Sequence, residues 1–187
     1  MVITPQNDCT WSYHDGKLRI NLTTDDGKSY LFKTLFRVED LFVRPEVNSQ
    51  FCIIDAQLLT TYQEGVDRVL NNEDNALDLG LNAVACQRFT RPACPTSRYF
   101  MMNEEHLMQV MAGDIVNLYA KCGHVGHCIV LDGCDADGLV RLMLLTDELI
   151  LDPQEGRGYR RGMMIRVNPA CVFQFSIVGN VGHSRYA

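Results

Sequence analysis

Apolar and polar positions alternate through the first part of the chain. Trp11 to His14, then Asp15-Gly16, then Leu18, Ile20 and Leu22 read as two strands joined by a tight turn. A period of two puts alternate side chains on one face, and Asp-Gly tolerates the positive φ of such turns. Asp26-Gly27 marks a second turn before Tyr30, Phe32 and Thr34. The pattern predicts an antiparallel meander packed through Leu18, Ile20, Leu22, Tyr30 and Phe32, with a polar tip over residues 23–28. Arg37 to Val43 predicts a short helical turn stopped at Pro45. The period then lengthens. From Asp55, an expected N-cap, Leu58, Leu59, Tyr62, Val66, Val69 and Leu70 fall on one helical face, and Gly65 is expected to divide the run. After Asn71-Asn72, Glu73 and Asp74 open a second helix bearing Leu77, Leu81, Val84, Ala85, Arg88 and Phe89, which Pro92 ends at Arg91.

Beyond Phe100 the texture becomes short β-type runs: IVNLYAKC, GHCIVLDGC, GLVRLMLLTDELILD, RGMMIRV and ACVFQFSIV, separated by Gly, Asp and Pro. Residues 104–111 form an expected turn or short helix, and the tail after Val178 reads as loose. The expected fold class is α+β, an N-terminal α/β domain over residues 1–102 and a small β-barrel-like domain over 103–187. CGHVGHC, Cys122 to Cys128, offers zinc-type ligands in Cys122, His124, His127 and Cys128, with Cys134 nearby. Adjacent His127 and Cys128 point to opposite faces of a strand, however, and Gly123 and Gly126 suit a hairpin tip. The spacing predicts antiparallel pairing of residues 114–122 with 126–132, buried Cys122 and Cys128, and solvated histidines.

The chain has 187 residues, 47% of them hydrophobic, and a net charge of −6. An acidic chain argues against wholesale nucleic-acid binding. No apolar run is long enough to cross a bilayer, and MVITPQNDC lacks the basic-then-apolar order of a secretory signal, so the expected location is the cytosol. In that compartment the eight cysteines are expected to be thiols. No phosphate-binding loop, dinucleotide fingerprint or nucleophile elbow is present. The sequence therefore predicts neither enzyme nor cofactor.

Two arginine groups stand out. Arg88, Arg91 and Arg98 flank a helix end, where cations are favourable whatever the function. From Arg157 to the last residue there are five arginines (Arg157, Arg160, Arg161, Arg166 and Arg185) and no acid, with Tyr159, Met163, Met164 and Ile165 among them. Such runs are commonly solvated surface. They also fit an apolar centre ringed by guanidinium groups, suited to an acidic protein partner. The candidate contacts are Arg88, Arg91, Arg98, Arg160, Arg161, Met164 and Arg166.

Leu81, Asn82, Ala83, Cys86, Arg88, Phe89, Arg91, Pro92, Pro95 and Ser97 form an L-N-A-x-x-A/C-x-R-[FY]-x-[KR]-P-x-x-P-x-S pattern, and Phe51 to Tyr62 reads FCIIDAQLLTTY. With Pro5, Trp11 and Tyr13, these residues resemble the ZapC family of Z-ring-associated cell-division proteins over roughly the first hundred residues. Beyond them, Gly113-Asp114 and the strand rhythm agree. The resemblance implies a non-enzymatic, monomeric factor at the mid-cell division ring. It would bind FtsZ, the tubulin-like division GTPase, promote lateral association of its filaments and slow GTP turnover. It implies no nucleic-acid partner and no membrane insertion. Two other classes stand beside it: a small-barrel RNA-binding protein, and a metal- or redox-responsive protein using Cys122 to Cys134.

Overall fold

A computed structural model describes residues 9–23, 27–70, 73–103 and 107–176. Pro5, Asp26, Arg185 and the tail after Val178 lie outside these residues, as do 104–106 of the expected connecting helix. Strands β1 (Thr10–His14), β2 (Lys17–Thr23) and β3 (Ser29–Arg37) form the expected meander, in the order β1-β2-β3. Its first turn holds Asp15 and Gly16 at φ 51° and 69°, so His14 pairs with Lys17 across a two-residue loop. Leu18, Ile20 and Leu22 are buried, and Phe32 packs beside them. Tyr30 departs from expectation: at 44% exposure it stands at the open end of the meander, beyond the reach of the helices.

Helices α1 (Ile53–Leu70) and α2 (Glu73–Phe89) follow, after a single 3-10 turn at Val38–Asp40 where a longer helical turn was expected. Leu59, Tyr62 and Val66 are fully buried on the predicted face of α1. Gly65 does not divide this helix. It is the point of closest approach to another backbone: a Cβ there would lie 1.9 Å from the Gly113 carbonyl oxygen.

The second sheet runs β10-β4-β5-β6-β9, from β4 (Ile115–Tyr119), β5 (Val125–Cys134), β6 (Val140–Leu144), β9 (Met164–Val167) and β10 (Val172–Gln174). A separate hairpin joins β7 (Glu148–Asp152) to β8 (Arg157–Arg160). The described strands do not close into the expected barrel. One face of the larger sheet is instead occupied by the helices, through Ile115, Ile129, Leu131, Met143 and Met164. The other face packs Val116, Leu118, Val130 and Leu142 under Leu149 and Leu151 of the β7–β8 hairpin and under Phe100.

Sandwiched between the meander and this sheet, α2 is buried on every side from Gly80 to Cys86. A helix buried all round must present small or apolar residues in every direction. GLNAVAC does so, and its one amide, Asn82, is used twice: Oδ1 accepts the Leu35 amide at 2.8 Å and Nδ2 donates to the Asp78 carbonyl. The Pro-braced run after α2 is a strap between the layers. Ala93 adds to β9 as a parallel bridge to Ile165, and Phe100 pairs with Ala120.

Candidate functional site

Several of the signature residues, Trp11, Phe51, Cys52, Arg88 and Phe89, gather around one carboxylate. Asp55 is fully buried and sits two residues into α1, so Cys52 is the flanking position and the expected capping role is reversed: Asp55 Oδ2 accepts the Cys52 amide at 3.0 Å. The same oxygen accepts the Trp11 indole N–H at 3.3 Å, while Oδ1 meets Arg88 Nε at 2.9 Å. The Trp11 ring stacks on Phe51 and meets Phe89 edge-on. Arg88 therefore ties the end of α2 to the start of α1. The carbonyl of Phe89, exposed at that helix end, accepts the amides of both Phe42 and Val43.

Those contacts hold a basic cleft of about 310 Å³, lined by Lys17, Arg37, Arg91, Arg160 and Arg161 around Phe36 and Met163. Five cations against one lining carboxylate, Asp40, is a marked local excess in an acidic chain. Three segments far apart in sequence meet here: the β2–β3 ends, the exit of α2 and the β8–β9 turn. That turn is seated by Gly162, at φ 84°, against Leu35 and Phe36. The Cys86 thiol, pushed up to about 12 by burial, donates to the Gly162 carbonyl at 3.5 Å. At the rim, the Arg91 guanidinium lies 3.8 Å over the Phe42 ring, which is 60% exposed. Arg160 meets Asp40 at 2.6 Å, Arg161 meets Asp147 at 3.7 Å and Arg37 meets Glu39 at 3.2 Å. Exposed pairs of this kind contribute about 0–1 kcal/mol, so a partner carboxylate can displace them at little cost.

The predicted contacts thus divide. Arg91, Arg160 and Arg161 converge on the cleft. Arg166 is instead held between Asp135 and Asp137, and it draws the Asp135 carboxyl well below the usual range. Arg98 donates to Tyr99 Oη at 2.7 Å, in a separate group with Arg157 over the same ring. Met164 also lines the cleft but is only 3% exposed, packed in the core with the helices, and the half-buried Met163 is the more accessible of the two. Lys17, Arg37 and Phe42 went unnoticed from the sequence, where single cations at strand ends carry no signal.

The CGHVGHC turn folds as the predicted hairpin, with Ile115 opposite Ile129 and Tyr119 opposite Val125. All eight cysteines are free thiols. Cys128 is buried, but Cys122 is exposed at the turn and donates to the Ile150 carbonyl at 3.1 Å. His127 is half-buried rather than freely solvated: Nδ1 donates to Asn117 Oδ1 at 2.8 Å, and its ring meets Phe175 edge-on. Among the described residues no group of three or more His, Cys, Asp or Glu is placed to hold an ion.

Partial burial lowers the His127 pKa. The imidazole therefore stays neutral in the folded chain where the unfolded chain already binds a proton, below about pH 6.5. Stability should fall as pH drops through that value. His127→Gln, which keeps an amide donor, should melt with a shallower dependence between pH 7.5 and 5.5 in thermal scans.

Comparison with known proteins adds the family. The model of the N-terminal region of cell-division protein ZapC matches residues 2–91. The cell division protein ZapC of Photobacterium profundum is 30% identical over 146 residues, covering 78% of each chain. That of Aeromonas hydrophila is 29% identical over 157 residues, covering 81% of this chain and 82% of its own. That of Proteus mirabilis is 26% identical over 112 residues, covering 60% of each. The matched region contains the Asp55 cluster, the whole of α2 and Arg91, and on this evidence the chain belongs to the ZapC family of cell-division proteins.

Proposed function

We propose that the protein is a non-enzymatic division factor that binds FtsZ polymers at the division ring and promotes their lateral association. Slower GTP turnover would follow from polymer stabilisation. Membership of the ZapC family supports the process. The observation that carries the binding surface is the convergence of Lys17, Arg37, Arg91, Arg160 and Arg161 on one cleft with an apolar floor. Basic groups so placed fork onto carboxylates and steer an acidic partner, while the exposed Phe42 ring and half-buried Met163 supply apolar contact. The lining offers cations, one carboxylate, a hydroxyl and apolar groups, a set suited to recognition.

Reversal of Arg160 and Arg161 to glutamate tests it. The double variant should no longer co-sediment with FtsZ polymers at moderate salt, and its melting temperature should stay within about 2 °C of the parent, because both side chains are exposed. Arg68→Glu, at the opposite end of the helix pair, should pellet normally. If the Arg160/Arg161 variant pellets as the parent does, the cleft is not the contact.

A further inference from the structure

The sheet edges of this protein are not treated alike. The outer edge of β1 is covered by residues 48–51: Trp11 N–H donates to the Ser49 carbonyl, and the Trp11 carbonyl accepts the Asn48 amide. Ala93 covers the outer edge of β9, donating to the Met164 carbonyl and accepting the Arg166 amide. Among the described residues the outer edge of β3 has no such backbone cover. Its bonding parity follows from the first turn. His14 and Lys17 close a two-residue loop and so form a hydrogen-bonded pair, after which pairs alternate along β1–β2. Leu18, Ile20 and Leu22 then direct their backbone groups toward β3, where Ile20 faces Phe32 and Leu22 faces Tyr30. Leu31 and Lys33 must direct theirs outward. Leu35 continues that parity, and its amide is indeed taken from outside, by Asn82. Among the described residues no backbone partner meets Leu31 or Lys33 on that side.

An uncovered edge with exposed Leu31 (45%) and Leu35 (41%) beside it is a liability unless it is used. Two cavities adjoin it. One, of about 470 Å³, lies between β3, α2 and the larger sheet, with Phe32, Leu79, Leu145 and Phe175 among its walls. The other is the basic cleft. Leu35 and Arg161 line both, so the two are neighbours along β3.

We infer that an extended, acidic segment of the division partner adds to β3 as a fourth strand, antiparallel or parallel, bonding the outward amides and carbonyls of Leu31 and Lys33. One apolar side chain of that segment enters the larger cavity, and its carboxylates lie over Arg37, Arg160 and Arg161. Backbone bonding supplies affinity in such additions, and the side-chain pocket supplies selectivity. The cations of the two cavities, Lys33 among them, favour an acidic strand over a second copy of this chain, whose own β3 would bring the same cations toward them. The inference rests on the FtsZ-binding function proposed above and adds the mode of contact.

Amide hydrogen exchange of the full chain, with and without FtsZ polymers, tests it alongside co-sedimentation. Tyr30 and Phe32 should be protected in both states, whereas Leu31 and Lys33 should exchange freely alone and slow markedly on binding. Lys33→Pro removes only an outward N–H, a substitution tolerated on an edge strand, and should weaken co-sedimentation by about tenfold or more. Lys33→Gln keeps the N–H and should stay within about threefold. Co-sedimentation without slowing at Leu31 and Lys33 overturns strand addition and leaves the proposed function standing. Absence of co-sedimentation by the parent chain overturns both. Should Lys33→Pro fail to fold, the exchange pattern of the parent chain still decides.

Discussion

Replacing Asp55 with alanine is expected to destabilise the protein by about 3 kcal/mol, read from urea unfolding. Two donors, the Cys52 amide and the Trp11 indole, and the charge of the Arg88 guanidinium converge on this buried carboxylate. Losing it leaves a buried indole N–H without an acceptor and removes a helix-start bond, which together account for about 2 kcal/mol. The arginine adds less than a fully buried ion would, since its side chain is 37% exposed and can turn to water. Asp55→Asn can keep the oxygen that accepts both the Cys52 amide and the Trp11 indole, loses the charge facing Arg88, and should lose about half as much. A loss below about 1 kcal/mol for the alanine variant would show that the cluster relaxes around the gap.

Gly65→Ala should also be strongly destabilising, although helix propensity points the other way. Alanine in mid-helix gains about 1 kcal/mol over glycine. Here the new methyl would lie 1.9 Å from the Gly113 oxygen and 2.4 Å from its carbonyl carbon, both backbone atoms that no rotamer change can clear. Gly113 cannot retreat easily, because its own Cα already faces Thr61: a Cβ there would meet the Thr61 carbonyl at 2.5 Å. Overpacking against backbone costs about 3 kcal/mol or more, so the clash wins and the net loss should be at least about 2 kcal/mol. A rise in melting temperature for Gly65→Ala would mean that α1 and the turn into β4 are not held together as described.

Both substitutions show which features the sequence makes legible. Local signals sufficed where chemistry is local. Asp15-Gly16 specified a turn, Pro92 bounded α2, and Gly123 marked the β4–β5 turn, whereas Gly126 lies inside β5 opposite Leu118. Pairing between distant segments carries no such mark. Nothing in the alternation of residues 114–176 says whether five strands close on themselves or lie open against helices, and the open order was missed for that reason. Gly65 looked like a weak point because its neighbour, Gly113, lies 48 positions away. Asp55 was recognised as a helix-start residue, but its bonds to Trp11 and Arg88 depend on the tertiary fold. The cleft was half visible. Its arginines stood out by composition, yet only packing separates Arg160 and Arg161, loosely paired, from Arg166, fully engaged by two carboxylates.

The rim pair of Arg160 and Asp40 bridges 120 positions of chain, and Gly162 must seat on Leu35 and Phe36 before the cleft has a floor. A nascent chain emerging from the ribosome therefore has no such surface until residues 160–164 have been made and folded back onto the meander. A chain clipped before that point lacks Arg160, Arg161 and Met163, the wall that faces Lys17, Arg37 and Arg91. The cleft thus comes into being only once the β8–β9 turn has been made and seated, so shorter fragments and stalled products would lack it.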